Sequence, residues 1–260
     1  CTTQNNEVMK TNLISWKHVV ALIWAFSGLA ACDDDDNCRK IYYPAHSTGC
    51  ISMGTVKDGE ILTDKGNTLI IDETSVEHEL EEGKRVFISG EILDRESERR
   101  YLVKVNKYHL LLEKSYITMP SDTDTLRHDA VNILRAWFGG ECLNLQAEMY
   151  YNPSSGISHL LNLVYNDTLS TNDTLRFSLR HNAYGDTLKT RTGRVTASFH
   201  IDTLATKEKT HVIVEYPWYD RHGKERTYVT EGDYYISEEN QEEETENNTD
   251  TSEDGTISIH

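Results

Sequence analysis

The stretch Arg194-Val195-Thr196-Ala197-Ser198-Phe199-His200-Ile201 decides the fold class. Val195, Ala197, Phe199 and Ile201 recur at every second residue, which puts them on one face of an extended strand. Phe177 and Leu179 repeat the pattern upstream. Working outward, strands are expected near 128–138, 141–150, 157–166, 173–181, 193–203, 209–216 and 226–236. Turn formers separate them: Gly139-Gly140, Pro153-Ser154-Ser155-Gly156, Thr171-Asn172-Asp173, Tyr184-Gly185-Asp186 and His222-Gly223-Lys224. Strands at this spacing predict an immunoglobulin-like β-sandwich over 120–237.

The polar break Met119 to Asp124 marks a domain boundary. Before it lie Ile51 to Val56, Thr68 to Ile71, Arg85 to Leu93 and Tyr101 to Val105, the last running on towards Tyr116. Four or five strands in this span suit a small OB-like β-barrel over 49–119. A turn or two around Val76 to Leu80 is the one helical expectation. The fold class is therefore all-β, a small OB-like barrel followed by an immunoglobulin-like sandwich.

The flanks read differently. Val19 to Leu29 is an apolar core after Lys10, Lys17 and His18, too short to span a bilayer and right for a signal peptide. Leu29-Ala30-Ala31-Cys32 matches the bacterial lipobox. Residues 1–31 are thus a lipoprotein leader starting at Met9, and Cys32 is the expected lipidation site. Residues 32–48 read as an acidic tether opening with Asp33 to Asp36. Residues 238–260 hold nine acids and no Lys or Arg, and are expected to be disordered. The chain carries a formal charge of −17 over 260 residues. It has no Lys/Arg block, so nucleic acid is not an expected partner.

The leader with Cys32 and the Asp run, the segment Ile133-Leu134-Arg135-Ala136-Trp137-Phe138-Gly139-Gly140-Glu141-Cys142-Leu143-Asn144, and Leu179-Arg180-His181-Asn182-Ala183-Tyr184-Gly185-Asp186 together resemble the NigD-like lipoprotein family of the Bacteroidetes. The resemblance implies an OB-type domain followed by a sandwich. It also implies association with bacteriocin gene clusters, and it brings no catalytic residues. The Asp run resembles the export signal of surface lipoproteins, which implies an outer-membrane, cell-surface location.

Candidate chemistry is sparse. No H-E-x-x-H, G-x-S-x-G, P-loop or G-x-G-x-x-G occurs, and no cofactor, metal site or catalytic residue is expected. Asp33–Asp36 lacks the turn glycine of a calcium cage. Cys142 with His159 or His181 is a conceivable thiol pair without a supporting motif. Cys38 and Cys50 are spaced to pair across a short loop. His181, Asn182, Tyr184 and Asp186 form the candidate binding loop, against a plain reading as turn formers. Trp137 reads as sugar platform or core. Asp-Thr-Leu recurs five times and resembles an O-glycosylation acceptor motif, with Thr125, Thr168, Thr174, Thr187 and Thr203 as acceptors. The same tripeptide also suits strand entry. Composition and motifs favour a surface binding or accessory module for a glycan or protein ligand, with an envelope hydrolase as the alternative.

Overall fold

The computed structural model describes residues 38–45, 50–118, 126–186, 188 and 191–236. The leader, Cys32, the Asp run, Thr125, Thr187 and the acidic tail lie outside these residues. The chain from Asp36 onward is a compact unit by itself. Among the described residues no helix is long and apolar enough to cross a membrane.

The fold is all-β. The first domain is a closed five-strand barrel built from β2 (Ile51–Lys57), β3 (Glu60–Thr63), β4 (Thr68–Thr74), β5 (Arg85–Ser97) and β6 (Arg100–Leu110). They pair in the order β2-β3-β4-β6-β5 and close back on β2. The β4–β6 pair is parallel and the others antiparallel, as in an OB-type barrel. Val56, Ile61, Leu69, Val86, Ile88, Val103 and Val105 fill it. The residues around Val76 to Leu80 are not helical. Val76 and Leu80 instead pack on the barrel core, and this tertiary contact outweighs local helix propensity. The four-residue β3 is too short to show a period, so sequence reading passed over it.

The seven strands expected of the sandwich are all present: β9 (Asn132–Gly139), β10 (Cys142–Tyr151), β11 (Leu160–Tyr165), β12 (Thr174–Asn182), β13 (Arg191–His200), β14 (Lys209–Tyr219) and β15 (Glu225–Tyr235). Three more come from the connecting segments. They are β1 (Cys38–Lys40), β7 (Leu112–Ser115) and β8 (Ile117–Thr118). The sheets are β1-β15-β14-β12-β11-β8 and β7-β13-β10-β9.

These three short strands correct two boundaries. Residues 38–45 are no tether: β1 pairs in parallel with β15, and Ile41 and Tyr43 are buried in the sandwich core. Tyr42 then bridges to Trp137 on β9. Residues 112–118 belong to the sandwich and not the barrel, since β7 joins β13 and β8 joins β11. Each segment crosses from one sheet to the other and covers an exposed sheet edge on both. Such segments show no alternation of their own, because their pairing is dictated by the edges they meet.

Candidate functional site

The two domains meet on the outer face of the four-strand sheet. Leu143, Leu145 and Ala147 face the sandwich core, so by strand alternation Cys142 and Asn144 face the barrel. Ser198 does the same between Ala197 and Phe199. Cys142, Asn144 and Ser198 are all fully buried.

Arg85 at the start of β5 reaches into this seam. Its guanidinium has five N–H donors, and each has a partner. Nη1 donates to Asp64 Oδ1 at 2.6 Å and Thr55 Oγ1 at 3.1 Å. Nη2 donates to Asp64 Oδ2 at 2.7 Å and Asn144 Oδ1 at 2.9 Å. Nε donates to Ser198 Oγ at 3.4 Å. Asp64 Oδ2 also accepts the Trp137 indole N–H at 2.9 Å. Burial pulls the Arg85 pKa down, but the charge of Asp64 and its hydrogen bond outweigh this and leave it above the ordinary value.

Local structure places each part. Asp64 sits in the β3–β4 turn, closed by Gly66 N–H to Thr63 O at 2.9 Å and by Thr63 N–H to Asn67 O at 2.8 Å. Opposite lies the β9–β10 turn. A Cβ on Gly139 would stand 2.5 Å from the Asp64 carboxyl carbon, and one on Gly140 would stand 2.6 Å from Arg85 Nη1. Gly140 also has a φ of 61°. Two glycines are therefore required for the turn to approach the ion pair. Trp137, Gly139, Gly140 and Asn144 belong to one stretch of sequence, and their shared task is this seam.

Beside the seam lies a cleft of about 490 Å³. The barrel contributes Lys57, Leu62, Lys65, Glu82 and Arg99, and the sandwich contributes Tyr43, Glu141, Tyr234 and Ile236. Burial lowers the Lys65 pKa and pushes the Tyr234 phenol up to about 12. The cleft thus combines cations and carboxylates with exposed Leu62 and Ile236, while the rings of Tyr43 and Tyr234 are buried in the core beneath it.

The thiol pair differs from both pairings considered. Cys142 Sγ lies 3.5 Å from Nδ1 of His200, its cross-strand neighbour, and His200 Nε2 lies 3.6 Å from Glu113 Oε1. Burial pushes the Cys142 thiol up to about 12, so the thiolate needed for attack is scarce at neutral pH. Cys50 is a buried free thiol, so the Cys38–Cys50 pairing does not form.

His159 and His181 instead pair with each other. His181 Nδ1 meets Ala130 O at 3.1 Å, His181 Nε2 meets His159 Nδ1 at 3.0 Å, and His159 Nε2 meets Asp186 Oδ2 at 3.3 Å. A carbonyl only accepts, so His181 carries its proton on Nδ1 and accepts from His159. Burial lowers the His181 pKa, with His159 adding to the effect, and keeps it neutral. Asp186 also accepts from Asn152 N–H at 2.8 Å and Ser155 Oγ–H at 3.1 Å.

Of the candidate loop, His181, Asn182 and Asp186 are buried, while Tyr184 is 56% exposed with a φ of 49°. Among the threonines, Thr168 stands exposed in a turn, Thr203 stands exposed in the short 3-10 helix Asp202–Leu204, and Thr174 is half-buried at the start of β12. Trp137 is 7% exposed and belongs to the seam. Among the described residues no group of three or more His, Cys, Asp or Glu side chains is placed to hold a metal ion. Sequence reading missed Asp64 and Arg85. The available signal was a charged residue opening the apolar run Val86-Phe87-Ile88.

Residues 115–231 match the family model of the NigD-like C-terminal β-sandwich domain. A candidate toxin-related protein of Parabacteroides distasonis is 24% identical with a TM-score of 0.58, over 75% of this chain and 98% of that one. A NigD-like immunity protein of Bacteroides caccae is 22% identical with a TM-score of 0.56, over 75% and 100%. A candidate lipoprotein of Bacteroides fragilis is 12% identical with a TM-score of 0.52, over 70% and 96%. No curated protein matches the chain.

Proposed function

The chain belongs to the NigD-like family, and on that premise we propose that it is a lipid-anchored envelope protein that works by binding, with the cleft between barrel and sandwich as its binding surface. The observation that carries this reading is the seam. A bidentate buried ion pair with every donor used holds the cleft walls in one arrangement, so a ligand meets a formed site and little ordering entropy opposes binding.

A glycan or a peptide from a protein partner fits the lining. Leu62 and Ile236 offer exposed apolar surface, Lys57, Lys65 and Arg99 meet carboxylates or hydroxyls, and Glu82 and Glu141 accept hydrogen bonds. The NigD-like immunity protein and the candidate lipoprotein, which share the fold, support an accessory role at the envelope. Cys32 carries the anchor in this reading, and the Asp run directs the protein to the outer surface of the outer membrane. Thr168 and Thr203 are the best-presented glycan acceptors.

Two experiments test this. Cells fed an alkyne fatty acid should yield labelled protein, and Cys32→Ala should abolish the label; a persisting label refutes the anchor. Saccharide and peptide arrays should give hits with the wild type that Lys57→Glu with Arg99→Glu loses. Hits that survive both charge reversals refute the cleft.

A further inference from the structure

We propose that the end of the sandwich opposite the cleft docks on an anionic lipid bilayer, so that the protein sits with this end down and the cleft outward. The orientation rests on the Cys32 anchor proposed above. The chemistry rests on the residues gathered at this end.

Strand register brings them together. Tyr151 pairs with Arg191, Leu160 with Asn182, and Tyr219 with Glu225. The loop residues 152–159, 183–186, 188 and 220–224 therefore lie at one end. Cys142, Gly139, His200 and Tyr235, with the seam and cleft, lie at the other.

The strand nearest the anchor starts towards the loop end. Cys38 stands opposite Val229, four residues from Glu225, and β1 runs parallel to β15, away from this end and towards Tyr43 and the cleft. β1 thus begins towards the loop end. Cys32 is six residues upstream of Cys38, a span of at most about 20 Å when extended. A lipid on Cys32 keeps this end near the bilayer.

What the bilayer meets there is aromatic. Tyr150 stacks on Trp218 with ring centroids 5.3 Å apart, and Tyr219 lies 5.5 Å from Trp218. All three are half-buried. Tyr184, Leu188 and Ile157 are exposed at 56%, 57% and 42%. Tyr and Trp with an apolar fringe favour the headgroup region, where one side of the ring is apolar and the other wet.

The charge is complementary too. Arg127, Arg191, Arg221 and Lys224 are exposed at this end of an acidic chain, and Arg226 pairs with Asp220 at 3.3 Å. Of the nearby acids Glu225 is exposed, and Asp129, Asp186 and Asp220 are turned onto their own loops. Asp129 accepts from Ala183 N–H at 2.8 Å, Asp186 is buried, and Asp220 accepts from His222 and Lys224 N–H at 2.9 Å each. The cations face outward, as a surface for lipid phosphates does.

The test uses residues 36–260, the compact unit, with a hexahistidine tag before Asp36 as a replacement anchor. It is held on vesicles containing a nickel-chelating lipid and brominated phosphatidylcholine, with or without phosphatidylglycerol. Trp137 and Trp218 are the tryptophans of this segment, one at each end. The expected result is loss of Trp218 emission by bromine quenching on phosphatidylglycerol vesicles. The loss should be absent in Trp218→Phe and weakened by Arg221→Glu with Lys224→Glu. No quenching of Trp218, or equal quenching without phosphatidylglycerol, overturns the proposal. So does protection of Trp218 by a soluble oligosaccharide in the absence of vesicle quenching, which would make this end a saccharide site. The tag replaces the native lipid, so a failed Cys32 assignment appears only in the fatty-acid labelling and leaves this result readable.

Discussion

Replacing Arg85 with Met removes the centre of the seam while keeping most of its volume. Asp64 has a side-chain exposure of 4% and would keep the hydrogen bond from the Trp137 N–H. The carboxylate would stay buried with its charge uncompensated. Breaking a buried pair from one side costs about 3–5 kcal/mol. With a urea dependence near the upper end for small proteins, about 3 kcal/mol per M, the unfolding midpoint falls by roughly 1–2 M. The assay is urea unfolding of residues 36–260 in a Trp218→Phe background, followed by Trp137 fluorescence and by circular dichroism. Fluorescence reports the seam and dichroism reports both domains. The expected result is a midpoint drop of that size, with the fluorescence transition preceding the dichroism transition. A companion Arg85→Met, Asp64→Leu variant should recover much of the loss, because an apolar pair leaves no buried charge. A single variant within about 1 kcal/mol of the wild type, with coincident transitions, refutes the claim that this pair joins the domains.

Three further outcomes follow from the same geometry. Gly140→Ala should lower stability by about 1–3 kcal/mol, read as a urea midpoint, since its Cβ meets Arg85 and Thr55 at 2.6 Å. Gly223→Ala, also at positive φ but with open space around it, should cost less. His211 lies 2.7 Å from Asp233, and that hydrogen bond raises the His211 pKa and holds Asp233 down to about 2. A raised histidine pKa gives stability that is complete below the unfolded value of about 6.5 and fades as pH rises through the folded value. His211→Gln should therefore lower the melting temperature clearly near pH 5.5 and little near pH 9; an equal loss at both refutes the linkage. Intact mass of the native protein should exceed the acylated polypeptide by hexose-containing increments, and Thr168→Ala with Thr203→Ala should reduce the excess.

Most of the strand plan was legible because half-buried strands carry their own period. Val195 to Ile201 and Phe177 to Leu179 alternate visibly, and both belong to long strands facing one core. What escaped reading depends on distant partners. Ile41 and Tyr43 are buried only because β15 and β9 offer edges to residues 38–43. Asn144 and Ser198 look like the solvent side of a sheet, yet both are fully buried because Arg85 covers them. The distinctive words around Trp137 and His181 were noticed before their meaning. One is the seam, and the other is a buried His181–His159–Asp186 chain that supports the Tyr184 turn. Cys142 shows the limit of motif reading. Register, which no local pattern reveals, pairs it with His200.

The account centres on the cleft as the surface the protein uses in the cell. The direct measurement is photo-crosslinking in living cells, with a benzophenone amino acid placed at Leu62 in the cleft and, as a comparison, at Leu169, which is 60% exposed in the turn after Asn166. The account predicts a discrete crosslinked species from position 62 that Lys57→Glu with Arg99→Glu removes, and none from position 169. Silence at position 62, or the same species from both positions, would contradict it.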